Sequence, residues 1–342
     1  MNLITEYNIS KDEVLNSYNF LKRSDIIYAA FVPTADYDLH FKSQDNKIFY
    51  EQNDLTFFKT TNFKIKNGDI VFCNTFFVKQ LFQHLNTQRE LTNINLITHQ
   101  ADLSISKTLF RLKPDCVSKW YSTNVEYIHD DLIPIPLGIA ITNNQKNLVY
   151  DDFYNYQSAN TEKNMKIYYS FNVNTNYFHR SKALKALEED NSVLGFNLNL
   201  NDYLINLDNN KFVLCPWGNG VDSHRFWESL YLESVPITKK HYIYEYFHEL
   251  PKYLVDSYKL IDISNYETTE VNTYIDILKV SWWINLIKNN NSRISNDQYY
   301  YFSEDETTHQ KNVKQYFDQV KLIGRYKLIL TLLRKIHKFI TS

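Results

Sequence analysis

The stretch Lys211–Thr238, KFVLCPWGNGVDSHRFWESLYLESVPIT, constrains the fold more than any other part of the chain. Phe212–Cys215 is an apolar run long enough for a buried strand, and Val235-Pro236-Ile237 reads as a second strand. Between them, Pro216-Trp217-Gly218-Asn219-Gly220 is a loop whose glycines open backbone angles closed to other residues. Asp222 or Ser223 supplies an N-cap for a helix whose first turn carries His224 and Arg225. The whole chain has six glycines, and two of them fall here. Strand, glycine-bearing loop and helix N-terminus in this order gather amide N–H groups, a positive dipole end and a cation around one point. That arrangement holds an anion.

Arg225 and Glu228 are three residues apart and share one helix face. A guanidinium there can clamp a phosphate bidentately. A carboxylate one turn on can accept hydrogen bonds from a ribose diol, so the pair would hold the two ends of a nucleotide diphosphate. The plain alternative is an intrahelical Arg–Glu ion pair, which is common and weak. His224 reads equally as a phosphate or sugar contact and as a packed histidine.

The segment CPWGNGVDSHRFWESLYLESVPI resembles the donor-binding signature of exostosin-like, inverting GT-B glycosyltransferases. Their pattern is an apolar strand, then Cys-Pro-x-Gly-Asn-Gly-x-Asp-x-His-Arg-x-Trp-Glu, then a helix leading into a Gly-x-Ile-Pro-Ile-type strand. Two departures stand out. Trp217 occupies a position where a basic residue is common, and Glu233 or Ser234 stands where a small glycine is expected before the strand. Three upstream blocks follow in the family's order: NLITHQADLSIS at Asn95–Ser106, KWYSTNVEYIHDDLIPIPLGI at Lys119–Ile139, and YYSFNVNTNYFHR at Tyr168–Arg180.

The resemblance implies an α/β fold of GT-B type, with two Rossmann-like domains facing a central cleft and helices at the C-terminus. Residues 1–150 would form the acceptor-side domain, 166–300 the nucleotide-sugar-binding domain, and 301–342 a helical segment packing back on the first domain or on membrane. It also implies glycosyl transfer from a nucleotide diphosphate sugar, with UDP favoured, to a glycan in surface-polysaccharide synthesis. The donor would sit on Gly218, Asn219, Gly220, Asp222, His224, Arg225 and Glu228. Arg180, Asn174 and Thr175, around FNVNTN, would add phosphate contacts. An inverting reaction needs a base from the first domain. Asp102, at a strand end in ITHQAD, is the first choice, His99 the second, and Asp36 or Asp38 the third. The alternative function is a non-catalytic nucleotide- or carbohydrate-binding protein on the same scaffold, which Trp217 and Glu233 favour. A third reading is a peripheral membrane scaffold.

Composition bounds these readings. A length of 342 residues suggests about two domains. The net charge of -2 gives no global pull toward nucleic acid. Cys73, Cys116 and Cys215 are an odd number without metal-ligand spacing, which points to a reducing, cytoplasmic setting. The start MNLITEYNISKDEV lacks the pattern of a signal peptide, and no apolar run reaches the length of a membrane span. Asp36-Tyr37-Asp38 matches a DxD metal motif, but only one strand precedes it. Glu304-Asp305-Glu306 reads as solvated surface. No metal and no cofactor is expected beyond the donor. P-loop, dinucleotide and hydrolase signatures are missing.

Strands are expected at Ile26–Val32, Asp69–Phe72, Leu96–Thr98, Ile167–Phe171 and Leu260–Ile263. Helices are expected at Phe76–Leu85, Pro114–Tyr121, His179–Leu187, Tyr242–Leu250 and Val271–Ile287. Their alternation argues for parallel sheets. Thr142–Asn164 is the linker expected between domains. Lys311–Ser342 carries eight Lys/Arg against one acid, Asp318. It suits a packing helix or an amphipathic helix on an anionic membrane, near a lipid-linked acceptor at the inner face.

Overall fold

The computed structural model describes residues 1–319 and 321, except 53, 143–146, 159–161, 188–192, 195–198, 265, 268 and 291–297. Its strands are β1 (Ile26–Pro33), β2 (Asn46–Gln52), β3 (Leu55–Thr60), β4 (Asn62–Lys66), β5 (Ile70–Asn74), β6 (Ile94–His99), β7 (Val117–Ser122), β8 (Leu132–Pro134), β9 (Asn164–Tyr169), β10 (Val193–Leu194), β11 (Asn210–Leu214), β12 (Val235–Lys239), β13 (Tyr253–Val255) and β14 (Tyr299–Ser303). A seven-stranded sheet has the order β2-β3-β1-β5-β6-β7-β8, and a five-stranded sheet the order β10-β9-β11-β12-β13. β14 pairs with β4 in a small antiparallel ladder. The architecture is mixed α/β.

In the larger sheet β1, β5, β6, β7 and β8 run parallel. They are the near-continuous apolar runs such a sheet requires: all five residues of β5 and all six of β6 are buried. An antiparallel hairpin, β2–β3, closes the β1 edge. In the smaller sheet every neighbouring pair is parallel.

Several elements differ from the sequence reading. The stretch expected as a helix at Pro114–Tyr121 is β7. Val117, Trp120 and Tyr121 are buried there between β6 and β8, where β-branched and aromatic side chains pack best, and Pro114 only forms the turn before it. No strand forms over Leu260–Ile263. Tyr258–Leu260 is a 3-10 turn, and the fifth strand of the smaller sheet is β13. The helix expected over Val271–Ile287 is broken into two 3-10 turns and a helix at Val280–Asn289. The break falls where Val14 bridges Lys279 and Val280 N–H donates to Glu13 O at 2.7 Å. The helix from Tyr242 ends at Tyr246, and Lys252 Nζ caps the carbonyls of Phe247 and Leu250. Thr142–Asn164 contains a helix, Tyr150–Tyr154, whose Phe153 is buried against Tyr231.

Glu304 is not surface. Its carboxylate lies at 1% exposure and pairs with the fully buried Lys59 of β3. A helix over 306–319 follows, and Tyr316 packs on Tyr50 and Phe57 of the larger sheet and on Phe77 of the turn after β5. The rest of the basic segment, with Gly324, lies outside the described residues. Among the described residues no helix is long and apolar enough to cross a membrane.

Candidate functional site

The order of the smaller sheet selects a place on it. The chain goes from β9 to β10 on one side and then crosses to β11 on the other. The segments leaving the carboxyl ends of β9 and β11 therefore part in opposite directions, which is where open α/β sheets usually form the crevice that takes a ligand. The loop after β9 carries Phe171–Asn176, and the loop after β11 carries Cys215–Ser223.

Two arginines meet there. Arg180, on the helix Tyr177–Leu187, is 6% exposed and braces both loops through backbone carbonyls. Its Nε donates to Trp217 O at 3.0 Å and its Nη1 to Asn172 O at 2.9 Å. Burial first, and then the charge of Arg225, pull its guanidinium down to about 9, so it remains a cation at neutral pH. Arg225 lies over the ring of Tyr203, 5.8 Å from its centroid. Its Nε is buried and has no hydrogen-bond partner. No ion pair neutralises either arginine among the described residues.

The helix that carries Arg225, His224–Tyr231, opens without a side-chain cap. The expected cap is not made, because Asp222 turns elsewhere and the Ser223 hydroxyl is buried without a partner. First-turn amides without a side-chain cap, the unpartnered Ser223 hydroxyl and the unpartnered Arg225 Nε thus belong to one helix end. Buried polar groups are ordinarily paired, and an anion is a partner that all three could take.

The glycines serve close approach rather than unusual angles. Among the described glycines only Gly68 and Gly138 have positive φ. A Cβ on Gly220 would lie 2.4 Å from Asn124 Oδ1, so only glycine lets the loop touch the larger sheet's β7–β8 connection. Gly218 lies under Arg180, and its carbonyl accepts from Asn176 Nδ2 at 2.8 Å. Asn174, Thr175 and Asn219 are exposed at the rim, and Thr175 is within van der Waals reach of the Gly218 position.

The other motif residues join the two sheets. Asp222 accepts from Leu137 N at 2.9 Å and from Trp227 Nε1, and its own N–H donates to Asn124. Burial lifts its carboxyl to about 6 against these hydrogen bonds. His224 Nδ1 lies 2.6 Å from Gly138 O, and a carbonyl cannot donate, so Nδ1 carries the proton. Glu228 is 2% exposed. One oxygen accepts from Leu148 N at 3.1 Å and the other from Tyr203 O–H at 2.7 Å. The alternative ion pair with Arg225 does not form. Instead Tyr203 stands between them, with its hydroxyl on Glu228 and its ring under Arg225. The sequence reading missed Tyr203; its only local signal was an aromatic residue on the helix Leu200–Asn209.

Both departures have local explanations. Glu233 has φ +57°, its N–H donates to Leu230 O, and Ser234 N–H donates to Ser229 O. These are the bonds of a Schellman C-cap, whose left-handed residue is usually glycine. The buried Ser234 sets Oγ within 2.9 Å of Leu207 O and 2.8 Å of Asn210 O, so close packing is kept by a hydroxyl. Trp217 packs at a tilt on His179, with ring centroids 4.9 Å apart, and meets His241 edge-on, with Lys239 beside the ring.

The base candidates are placed differently from one another. His99 is buried, its Nδ1 accepts from Gln100 N at 2.7 Å, and its Nε2 lies 3.1 Å from Pro136 O. Burial drives its pKa down to about 3, and both nitrogens are occupied, so it ties β6 to the Pro136 turn rather than waiting for a proton. Asp102 is exposed on the next loop. Asp36 is half-buried, and the exposed Asp38 pairs with Lys42 at 3.3 Å, both beyond β1. Among the described residues no group of three or more His, Cys, Asp or Glu is placed to hold a metal ion.

No protein-family model and no curated protein matches the chain. Among solved structures it is similar to the bacterial iron-containing dodecameric glycosyltransferase TibC from enterotoxigenic E. coli H10407. The two are 11% identical, with 68% of this chain and 78% of that one covered and a TM-score of 0.20. A likeness of that size carries no argument about fold or chemistry.

Proposed function

We propose that the chain is a glycosyltransferase that moves a sugar from a nucleotide diphosphate donor, UDP-linked by preference, to a glycan acceptor. The observation that carries this reading is the buried, unpartnered Nε of Arg225 beside Arg180, at an uncapped helix N-terminus where the sheet order switches between β9 and β11. Two parallel sheets joined along the motif support a GT-B arrangement of two Rossmann-like domains, 1–150 and 166–300. In the reaction, an acceptor hydroxyl attacks the anomeric carbon as the bond to the diphosphate oxygen breaks. The charge left on the diphosphate is met by the two arginines, the first-turn amides and the Ser223 hydroxyl. Such preorganised donors are worth most in a site shielded from water. Inversion, independence from metal, and a cytoplasmic place near a lipid-linked acceptor belong to the same proposal.

The occupied carboxylate of Glu228 favours a second reading, a non-catalytic nucleotide- or carbohydrate-binding protein, because no free oxygen is left for a ribose. A thermal-shift screen with UDP, GDP, CMP and ADP, followed by assay of nucleotide release from the matching nucleotide sugars, separates the two. A nucleotide at about a hundred times its dissociation constant adds about 2.7 kcal/mol of apparent stability. A shift with release supports the transferase, and a shift without release supports the binder. No shift with any nucleotide would sink both.

A further inference from the structure

An inverting transfer needs a base on the acceptor side, and the segment after β7 offers a carboxylate that the sequence reading passed over. Glu126 follows β7 in the segment that meets the donor loop. Two residues before it, Asn124 touches Gly220 and accepts from Asp222 N–H at 3.1 Å. The Glu126 backbone is fixed by its N–H to Ile105 O at 3.1 Å, and its carboxylate accepts from Ser104 O–H at 2.7 Å. The side chain is exposed, so one oxygen stays open to a ligand. Its rivals lack this set. His99 has no free nitrogen, Asp38 is paired with Lys42, and no hydroxyl positions Asp102 among the described residues.

The wall across from Glu126 is basic and aromatic. His241, on the smaller sheet's side, feels the charge of Glu126, and it meets Trp217, whose ring also lies beside Lys239. An acceptor lying between the two walls would have its hydroxyl on Glu126, with the donor's leaving diphosphate on Arg225.

We propose that Glu126, positioned by Ser104, is the general base that takes the proton of the acceptor hydroxyl. This assignment rests on the glycosyl-transfer reading above. The acceptor O–H proton passes to the Glu126 carboxylate as the oxygen bonds to the anomeric carbon. The carbon–oxygen bond to the diphosphate breaks, and its electron pair leaves on the diphosphate.

The test uses the full chain and the nucleotide sugars of whichever nucleotide stabilises it, with nucleotide release as the readout. Glu126→Gln keeps the shape and lowers kcat by about a hundredfold or more, within the usual range for removal of a general base. Its thermal shift with the free nucleotide stays at the wild-type value. Ser104→Ala gives a smaller loss in kcat with KM little changed, and Asp102→Asn a loss at least tenfold smaller than Glu126→Gln. A Glu126→Gln chain that binds nucleotide and turns over within threefold of wild type overturns the assignment alone. A wild-type chain that neither binds nor releases any nucleotide overturns the transferase reading, and this assignment with it.

Discussion

Two buried clusters of charge stand on the two sheets, and they are finished differently. On the larger sheet Lys59 and Glu304 are fully buried as a pair, with His84 Nε2 3.3 Å and Asn312 Nδ2 3.0 Å from the same carboxylate oxygen; the other oxygen has no hydrogen bond but lies 3.5 Å from His309 Nδ1, so here the charges, if not every polar atom, are paired. Burial raises that carboxyl, but the hydrogen bonds from His84 and Lys59 outweigh it and hold Glu304 down to about 2. Lys59 moves down as well, because for it burial exceeds the gain from pairing. On the smaller sheet Arg180 meets only carbonyls, and Arg225 has a buried nitrogen with no partner. Charge buried with its partner is architecture, here fixing the helix over 306–319 to the larger sheet. Charge buried without a partner lowers the stability of the free chain and is relieved by a ligand.

If that distinction is right, the largest effect comes from breaking the finished cluster. Glu304→Ala strands Lys59 and should cost about 3–5 kcal/mol of stability. Nucleotide binding by the chain that remains folded should be unchanged, read as a drop in thermal midpoint with an equal ligand shift. The same pair should show in pH. Glu304 has a folded pKa below its ordinary 4.5, so its contribution is complete above that value and is lost as the pH falls from there toward about 2. Acid unfolding curves of Glu304→Gln should be flatter over that window.

Next in size is the unfinished cluster. Arg225→Met removes hydrogen bonds to a charged ligand worth about 1.5–3 kcal/mol, roughly ten- to a hundredfold in affinity. The free variant should melt no lower than wild type, because Met keeps an apolar contact over the Tyr203 ring and the unpartnered Nε–H has gone. Glu228 tests where the boundary between the two kinds of residue falls. As a scaffold residue, Glu228→Ala orphans Leu148 N–H and Tyr203 O–H and should cost about 1–3 kcal/mol of stability. A stable Glu228→Ala chain with nucleotide binding alone abolished would return it to the ribose. The smallest effect is expected at the helix end. Glu233→Gly relieves a left-handed residue and should raise the thermal midpoint by the equivalent of about 1 kcal/mol, without touching binding.

What could be read from the sequence follows the range of the forces involved. The strand, loop and helix at 211–238 are legible because an apolar run, two glycines and an Arg in a first turn are local signals. Arg225 was legible for the same reason. The direction of Glu228 was not, because it depends on Leu148, 80 residues away, and on Tyr203. The glycine at 220 was found but for the wrong cause, since the reason is Asn124 on the other sheet. The apolar residues of β7 fit a helix face as well as a strand, and only their neighbours β6 and β8 decide. Glu304 lay in a polar run, and its partner Lys59 is 245 residues distant.

The most direct test of the central claim is a calorimetric titration of the stabilising nucleotide into wild type and Arg225→Met, with the ligand-free melting point of each measured alongside. The account predicts binding to wild type, an affinity lower by about ten- to a hundredfold in the variant, and a variant that melts at or above wild type. Equal affinities, or a variant that melts well below wild type, would mean that Arg225 is architecture like Lys59 and that the crevice between β9 and β11 is not the site.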